Sequence, residues 1–547
     1  MERPSISSSG SEDGEKQDGA KSENTRNNED GEYPPGYKMV LIVLALVLSN
    51  ILLSLDMTIV ATAIPKITDE FKGLDKVGWY SSAFFTFSAA FQSTWGKIYK
   101  YFPLKTTFLI AILIFELGSA ICGAARNSET LIVGRAVAGM GAAGLGAGSY
   151  TIIGFSAPPR RRPALTGVLG AAYGLASAIG PILGGVLTDK LSWRWCFYIN
   201  LPVGGVSAIV IFFFFRAPGT TTEKASLEEK LRQMDPVGIV LVIGATICYT
   251  LAVQYGGVSH PWGSSLVVGL LVGFAVLVAC WIILHRYQGE RSMVPPRLVR
   301  DRRNFTMFAF TLIFSGGYYT AVYFLPVYFQ SAHNSSPTRS GIENLPFIIT
   351  ISVSTSLTGA LVAITGRYKL LLVGGGAAAA VGAGLLTTLD QSTPAGNWIA
   401  YQIIAGIGWG IACQIPLIAV QGNVSNKDLA SATGMLLFFQ GIGSAYIVSG
   451  AQAAFVNKLV QSVKEAAPEV DKMALVEVGA TEIRKAFTEP HLQSTIIDCY
   501  VYGIRVAFYF CIACACLATV IGLSAKGQKL GEATSEKREK DYPMDVQ

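Results

Sequence analysis

Polar and apolar positions along the chain separate into long blocks rather than alternating. The first 36 residues are polar, rich in Ser, Asp, Glu, Asn and Gly, and cannot bury a core, which predicts a disordered tail. Apolar runs then recur at about 39–64, 77–97, 105–125, 130–154, 163–187, 196–215, 237–256, 264–285, 305–329, 341–363, 368–389, 397–420, 430–456 and 499–523. A helix needs about 20 apolar residues to cross the hydrocarbon core of a bilayer, whereas membrane strands are about half as long and alternate. The pattern therefore predicts an all-α polytopic membrane protein with fourteen transmembrane helices. From about Ser524 the chain is again charged and polar. An even number of crossings places both ends on one side.

Composition fits this picture. Of 547 residues 51% are hydrophobic and only 15% charged, against about a quarter charged in soluble domains. The net charge of +6 matters less than its distribution. Basic residues gather in alternate loops: Lys97, Lys100 and Lys105; Arg160, Arg161 and Arg162; Arg216, Lys224, Lys230 and Arg232; Arg286, Arg291, Arg297, Arg300, Arg302 and Arg303; then Arg367, Lys369 and Lys427. The positive-inside rule puts these loops and both termini in the cytosol. Nucleic acid is not implied as a partner; the lipid bilayer is. No charged and apolar leader opens the sequence, so the first span is expected to act as the targeting signal.

On the outer side, residues 457–498 mix apolar and charged positions at helical spacing and predict an amphipathic surface helix pair. Asn334-Ser335-Ser336 is a glycosylation sequon in a predicted outer loop, which makes Asn334 a candidate acceptor. Cys511, Cys514 and Cys516 have a redox-like spacing but lie within an apolar helix, so no redox or metal role is assigned.

Span 5 reads Thr166-Gly167 with Gly174, Ser177 and Ala178; span 13 repeats Thr433-Gly434 with Gly441, Ser444 and Ala445 at identical spacing. Chance is one account in helices rich in small residues. Two parallel halves related by an axis along the membrane normal are the other. The second account gives a cytosolic tail at 1–38, an N-terminal six-helix half at 39–215, a linker with two extra membrane helices at 216–304, a C-terminal six-helix half at 305–523, and a tail at 524–547.

Few side chains carry chemistry at depth. Asp56 sits well inside span 1, where a carboxylate costs roughly 2.5–3.5 kcal/mol on insertion scales. It is either held by a neighbouring hydroxyl or backbone group, or binds protons beside an internal cavity. Arg135, near the outer end of span 4, either snorkels to the interface or modulates Asp56, since a nearby cation favours an ionised carboxylate. Glu116, mid-span in span 3, is a second candidate proton site or an interhelical hydrogen-bonding group. Gly139-Met-Gly141-Ala-Ala-Gly144 matches a dinucleotide fingerprint in letters only, because no strand precedes it. In span 5, Gly180-Pro181 followed by Gly184-Gly185 predicts a bend and a close helix approach, as a conformational element or as a packing kink. Tyr319, Tyr323, Gln330, Trp409, Gln414 and Gln440 are candidates to line a cavity for a large, partly apolar ligand. Zinc-protease, P-loop and serine-hydrolase motifs are absent from the sequence, so no cofactor, metal or enzymatic activity is expected, and energy has to come from an ion gradient.

Together these residues resemble the major facilitator superfamily, in particular its fourteen-span drug:proton antiporters, over about Met39 to Leu523. The carrying stretches are Leu55-Asp56-Met57-Thr58-Ile59-Val60-Ala61-Thr62-Ala63-Ile64-Pro65, the loop between spans 2 and 3 from Gly96 and Lys97 to Lys105, Arg135 to Gly144, Gly180 to Gly185, and Ser192-Trp193-Arg194-Trp195 on to Asn200 and Pro202. The texture around Phe102 to Lys105 and Phe115 to Ala120 is similar to fungal toxin and multidrug efflux pumps. One departure stands out: Lys100 occupies the place of the acidic residue that latches the closed state in this family, so the latch is weak or differently built. The resemblance implies proton-coupled export of a lipophilic small molecule across a fungal plasma membrane, with Asp56 coupling and Arg135 modulating. A siderophore or metabolite–proton symporter, a non-transporting membrane sensor, and a vacuolar location are the alternatives.

Overall fold

In the computed structural model the described residues are 34–71, 77–216, 225–468, 470, 483–487 and 489–525. Fourteen long helices carry them: α1 (Gly36–Phe71), α2 (Val77–Tyr101), α3 (Leu104–Gly123), α4 (Ser128–Ser156), α5 (Arg162–Lys190), α6 (Trp195–Phe214, interrupted at Ile199), α7 (Pro236–Tyr255), α8 (Ser265–Gln288), α9 (Arg302–Ala332), α10 (Leu345–Thr365), α11 (Lys369–Leu386), α12 (Ala395–Asn423, interrupted at Gln414), α13 (Leu429–Ala466) and α14 (Pro490–Leu523). Helix starts follow local chemistry. Asn127 caps α4 by accepting from the Thr130 amide, and Asp235 caps α7 by accepting from the Gly238 amide with Pro236 at the first helical position.

Helices α1–α6 pack among themselves, as do α9–α14, with α7 and α8 paired to one side. The two six-helix halves meet along two seams, α2 against α13 and α5 against α10. α7 rests on α2 and α13 beside the first seam, and α8 packs on α7 with only Val267 and His285 buried. Thirteen of the fourteen contain an apolar stretch long enough to cross a bilayer; α2 is the exception. Its polar positions Ser88, Gln92, Ser93, Thr94 and Lys97 are buried against protein, so it needs less lipid-compatible surface.

The repeat in spans 5 and 13 marks equivalent places in the two seams. Gly434 of α13 lies against Gly96 of α2, so close that a Cβ on Gly434 would stand 2.7 Å from the Gly96 Cα. Gly167 of α5 lies against Gly359 of α10, where a Cβ would stand 3.4 Å from the Cα opposite. Both crossings lie near the face from which α1 starts and at which α14 ends, here termed the tail face. The chain between spans 13 and 14 departs from the expected surface helix pair: α13 continues unbroken to Ala466 and α14 already begins at Pro490. Most of the segment between them, and most of both polar tails, lies outside the described residues.

Filling the α2–α13 crossing tests the role of its glycines. Overpacking of this kind costs about 1–3 kcal/mol, all of it borne by the state in which the tail-face crossing is closed. Gly434→Val should therefore raise the rate at which a thiol placed at buried Ser431 (Ser431→Cys) is labelled from the tail face of membrane vesicles, about fivefold or more. An unchanged labelling rate would mean that the crossing does not gate access.

Candidate functional site

Asp56 is fully buried at the middle of α1, and Arg135, two turns into α4, is 1% exposed. The Arg135 Nη1 donates to Asp56 Oδ2 at 2.5 Å, and its Nε donates to the Tyr80 carbonyl of α2 at 2.9 Å. The guanidinium lies 4.3 Å from the Phe84 ring centroid and 5.9 Å from that of Phe197, which exclude water from the pair. Because α4 starts at Ser128 rather than 130, Arg135 sits about half a turn deeper than the span limits imply, and it turns inward to the carboxylate rather than toward the interface.

Asn200, at the start of the main segment of α6, completes the carboxylate's shell. Its Nδ2 donates to Asp56 Oδ1 at 3.0 Å and lies 3.1 Å from Ser119 Oγ of α3. Glu116 is one turn from Ser119 on α3 and packs on Gly204, one turn from Asn200 on α6. Neither Glu116 carboxyl oxygen has a hydrogen-bond partner among the described residues. Asn200 and Ser119 escaped the sequence reading as site residues. The only signal for Asn200 was its place in the Trp193–Pro202 stretch.

The same stretch of α1 grips α5. Ser54 Oγ donates to the Tyr173 carbonyl at 2.7 Å, Tyr173 Oη donates to Met57 Sδ at 3.0 Å, and Gly180 leaves room for Thr58. α5 runs continuously past Pro181, with Gly184 accepting from Cys196 Sγ and Gly185 near Thr338 of the opposite half. Tyr173 also meets Tyr319 of α9 hydroxyl to hydroxyl at 3.1 Å, across the midline between the halves. Gln414 reaches Tyr150 Oη at 3.2 Å across the same midline, and Gln421 reaches the Tyr150 carbonyl.

The cavity candidates thus divide. Tyr319 and Gln414 stand on the midline, Tyr323 is half exposed one turn beyond Tyr319, and Gln440 is half-buried on α13 beside α9. Trp409 is fully buried in the core of the C-terminal half, packed on Phe314 at 4.4 Å and Tyr318 at 6.3 Å. Gln330 lies at the far end of α9 and donates to Ser340 of the short helix Pro337–Glu343. Helix rotation aims Trp409 into its own half, and the length of α9 carries Gln330 out of the midline. Asn334 is exposed near that same end.

At the tail face a charged clasp joins the halves. Asp428, at the start of α13, takes a two-pronged bond from Arg297 (2.9 and 2.8 Å) and one from Lys100 of α2 at 3.3 Å. The cation Lys100 stands on the N-terminal half and the carboxylate on the C-terminal half. Burial pushes the Asp428 carboxyl up, but the Arg297 bonds and the Lys100 charge outweigh it and hold it below the ordinary aspartate value. Lys97 is 2% exposed and donates to the Glu290 carbonyl and to Gln233, while Ser93 donates to the Met293 carbonyl, so the chain leading into α9 is strapped onto α2. Lys105 instead ties α3 to the end of α6 through the Phe212 carbonyl. On the opposite face Arg194 grips Glu70 with both Nη atoms, and the bonds from Arg194 and Trp193 hold that carboxyl below the usual glutamate range.

Relatives show the family and solved structures share the fold. The Major Facilitator Superfamily profile matches residues 46–448. The chain belongs to the major facilitator superfamily. It is 46% identical over 500 residues to the MFS-type transporter grgE of a Penicillium species, covering 91% of this chain and 88% of that one. It is also 46% identical to the probable efflux pump gsfJ of Penicillium aethiopicum (91% and 89% covered) and 41% identical to the MFS-type efflux pump MFS1 of Trichophyton rubrum (91% and 94%). The fold is shared with the proton:xylose symporter XylE at a TM-score of 0.57 and 13% identity, covering 92% of this chain and all of that one. It is a multi-pass membrane protein of the transporter fold, with the two inserted helices beside one seam.

The clasp makes a charge-swap prediction. Lys100→Asp should open the tail face, read as faster labelling of Ser431→Cys, and adding Asp428→Lys should restore much of the closure, with a coupling on the order of 1 kcal/mol. Because the Asp428 carboxyl is held below its ordinary value, its contribution to closure is complete above about pH 3.9 and is lost only as pH falls through the lowered value. Equal labelling of the single and double variants would remove the clasp from the gate.

Proposed function

We propose that this chain is a proton-coupled efflux transporter that exports a hydrophobic small molecule, such as a fungal toxin, secondary metabolite or drug, across the plasma membrane. The observation that carries the reading is the Asp56–Arg135 pair, buried in the N-terminal half and bonded through α1 to the seam helix α5. The names of its relatives as efflux pumps support the direction of transport. The division at 39–215, 216–304 and 305–523, with a cytosolic tail face rich in Lys and Arg, completes the proposal. Asn334 is then exposed on the outer face and is a candidate for glycosylation.

The mechanism follows from the contacts. An ionised Asp56 holds Arg135 and favours one rotation of α1 against α5. A proton on Asp56 removes the charge attraction and leaves Arg135 seeking another acceptor. Ser54, Met57 and Thr58 carry that change to Tyr173 and Gly180 of α5, and so to the seam with α10. The proton thereby biases a two-state element, which is all that coupling requires. Substrate binds at the midline near Tyr319, Tyr323, Gln414 and Gln440 while the tail face is open. Closing of Gly96 on Gly434, with the Lys100–Asp428–Arg297 clasp, sends it outward. Glu116 serves as a second proton site. Import of a metabolite with protons uses the same parts in the opposite order.

Retention of labelled lipophilic compounds in cells expressing the chain tests the reading. Expression should lower retention several-fold, and both a protonophore and Asp56→Asn should abolish the effect. Export that survives Asp56→Asn would move coupling to another group, Glu116 first, and raised retention would turn the direction to import.

A further inference from the structure

We propose that Asn200 is the positioning residue that reads the protonation state of Asp56, by reversing its side-chain amide between donor and acceptor. The inference rests on the reading of Asp56 as the coupling carboxylate and adds the part that answers its change of charge.

The argument starts from an inventory of donors and acceptors. Asp56 Oδ2 is occupied by the Arg135 guanidinium, so Oδ1 is the oxygen open to a proton. Oδ1 now accepts from Asn200 Nδ2, which also lies against Ser119 Oγ. The orientation of that amide is set by charge: its carbonyl facing an ionised carboxylate would place two acceptors together. Once Oδ1 carries a proton it becomes a donor, and an N–H facing an O–H is no longer a bond. A primary amide is the neutral side chain that offers both roles on one planar group. Rotated by half a turn, Asn200 would accept from the Asp56 hydroxyl through Oδ1, and the Ser119 hydroxyl would rotate to donate to the same atom.

A second observation indicates that the cluster is built for this exchange. Asn200 is 0% exposed, and among the described residues its Oδ1 is buried without a hydrogen-bond partner, as are both oxygens of Glu116 on the facing turn of α3. Buried acceptors without donors are costly. Three on facing turns of α3 and α6 make the cluster short of protons. Beyond Asp56 and Arg135, the titratable groups within electrostatic reach are Glu116 and Cys122 of α3 and Cys196 in the first turn of α6; α2 contributes the Tyr80 carbonyl and α5 no charge at this level among the described residues. Asn200 alone touches both the carboxylate of α1 and the hydroxyl of α3, so its reversal shifts α6 relative to both.

Infrared titration of the purified full-length chain tests this without a substrate. The carboxyl C=O band of protonated Asp56 is identified by its loss in Asp56→Asn. In Asn200→Leu, which keeps the branched shape and removes both roles, the carboxylate loses one charge-assisted bond, so the band should grow in about one pH unit higher. It should also move to a higher frequency, as its O–H loses the amide acceptor. Asn200→Ser, with donor and acceptor on one hydroxyl, should restore part of both changes and serves if the Leu variant does not fold. An Asp56 band with the parent midpoint and frequency in both variants would overturn the role of Asn200 and leave the transporter reading intact. Absence of any Asp56 band across the titration in the parent would overturn that reading, and this inference with it.

Discussion

A charge pair taken out of water governs this structure. Desolvating a carboxylate and a guanidinium costs several kcal/mol each, and only close geometry with further hydrogen bonds compensates. Asp56 and Arg135 meet that condition with help from every neighbour: the Tyr80 carbonyl of α2, the Phe84 and Phe197 rings, and the Asn200 amide tied to Ser119 of α3. The pair therefore fixes the rotation of α1, α2, α3, α4 and α6 about their own axes. Withdrawing the charge from one partner loosens a set of helices rather than a single contact, as the proposed proton coupling requires.

The two halves are joined by a different kind of interaction. Within lipid there is little hydrophobic drive to press helices together, so backbones must approach closely or polar groups must bond. Gly96 and Gly434, and Gly167 and Gly359, give that close approach, and Lys100, Asp428 and Arg297 add charge where water is near. Each contact is strong only at short range and is lost by a small rotation. A sharp, reversible seam follows, unlike the interdigitated interior of either half, where Trp409 packs on Phe314 and Tyr318.

Several side chains were legible as important but not in their tasks. Lys100 stood out as a basic residue in an acidic place, yet its partner is 328 residues away. Trp409 and Gln330 were found at depth and grouped with Tyr319 and Gln414, although one fills a core and the other holds an outer helix. Span helices that are apolar on all sides carry no polar face to show which way a given residue points. The repeat in spans 5 and 13 was legible because close backbone approach demands small residues at fixed spacing, whatever the partner.

By itself the sequence determined that about fourteen apolar helices cross the membrane, roughly where each lies, and which loops are basic. These follow from transfer free energies and charge counts, which are properties of local segments. Only the tertiary structure decided that Arg135 turns to Asp56, that Asn200 bridges Asp56 to Ser119, and that Asp428 answers Lys100. Those pairings depend on how each helix is rotated and which helix it meets. That is settled by the joint packing of all fourteen, with Asp56, Arg135 and Asp428 each held by a partner on another helix.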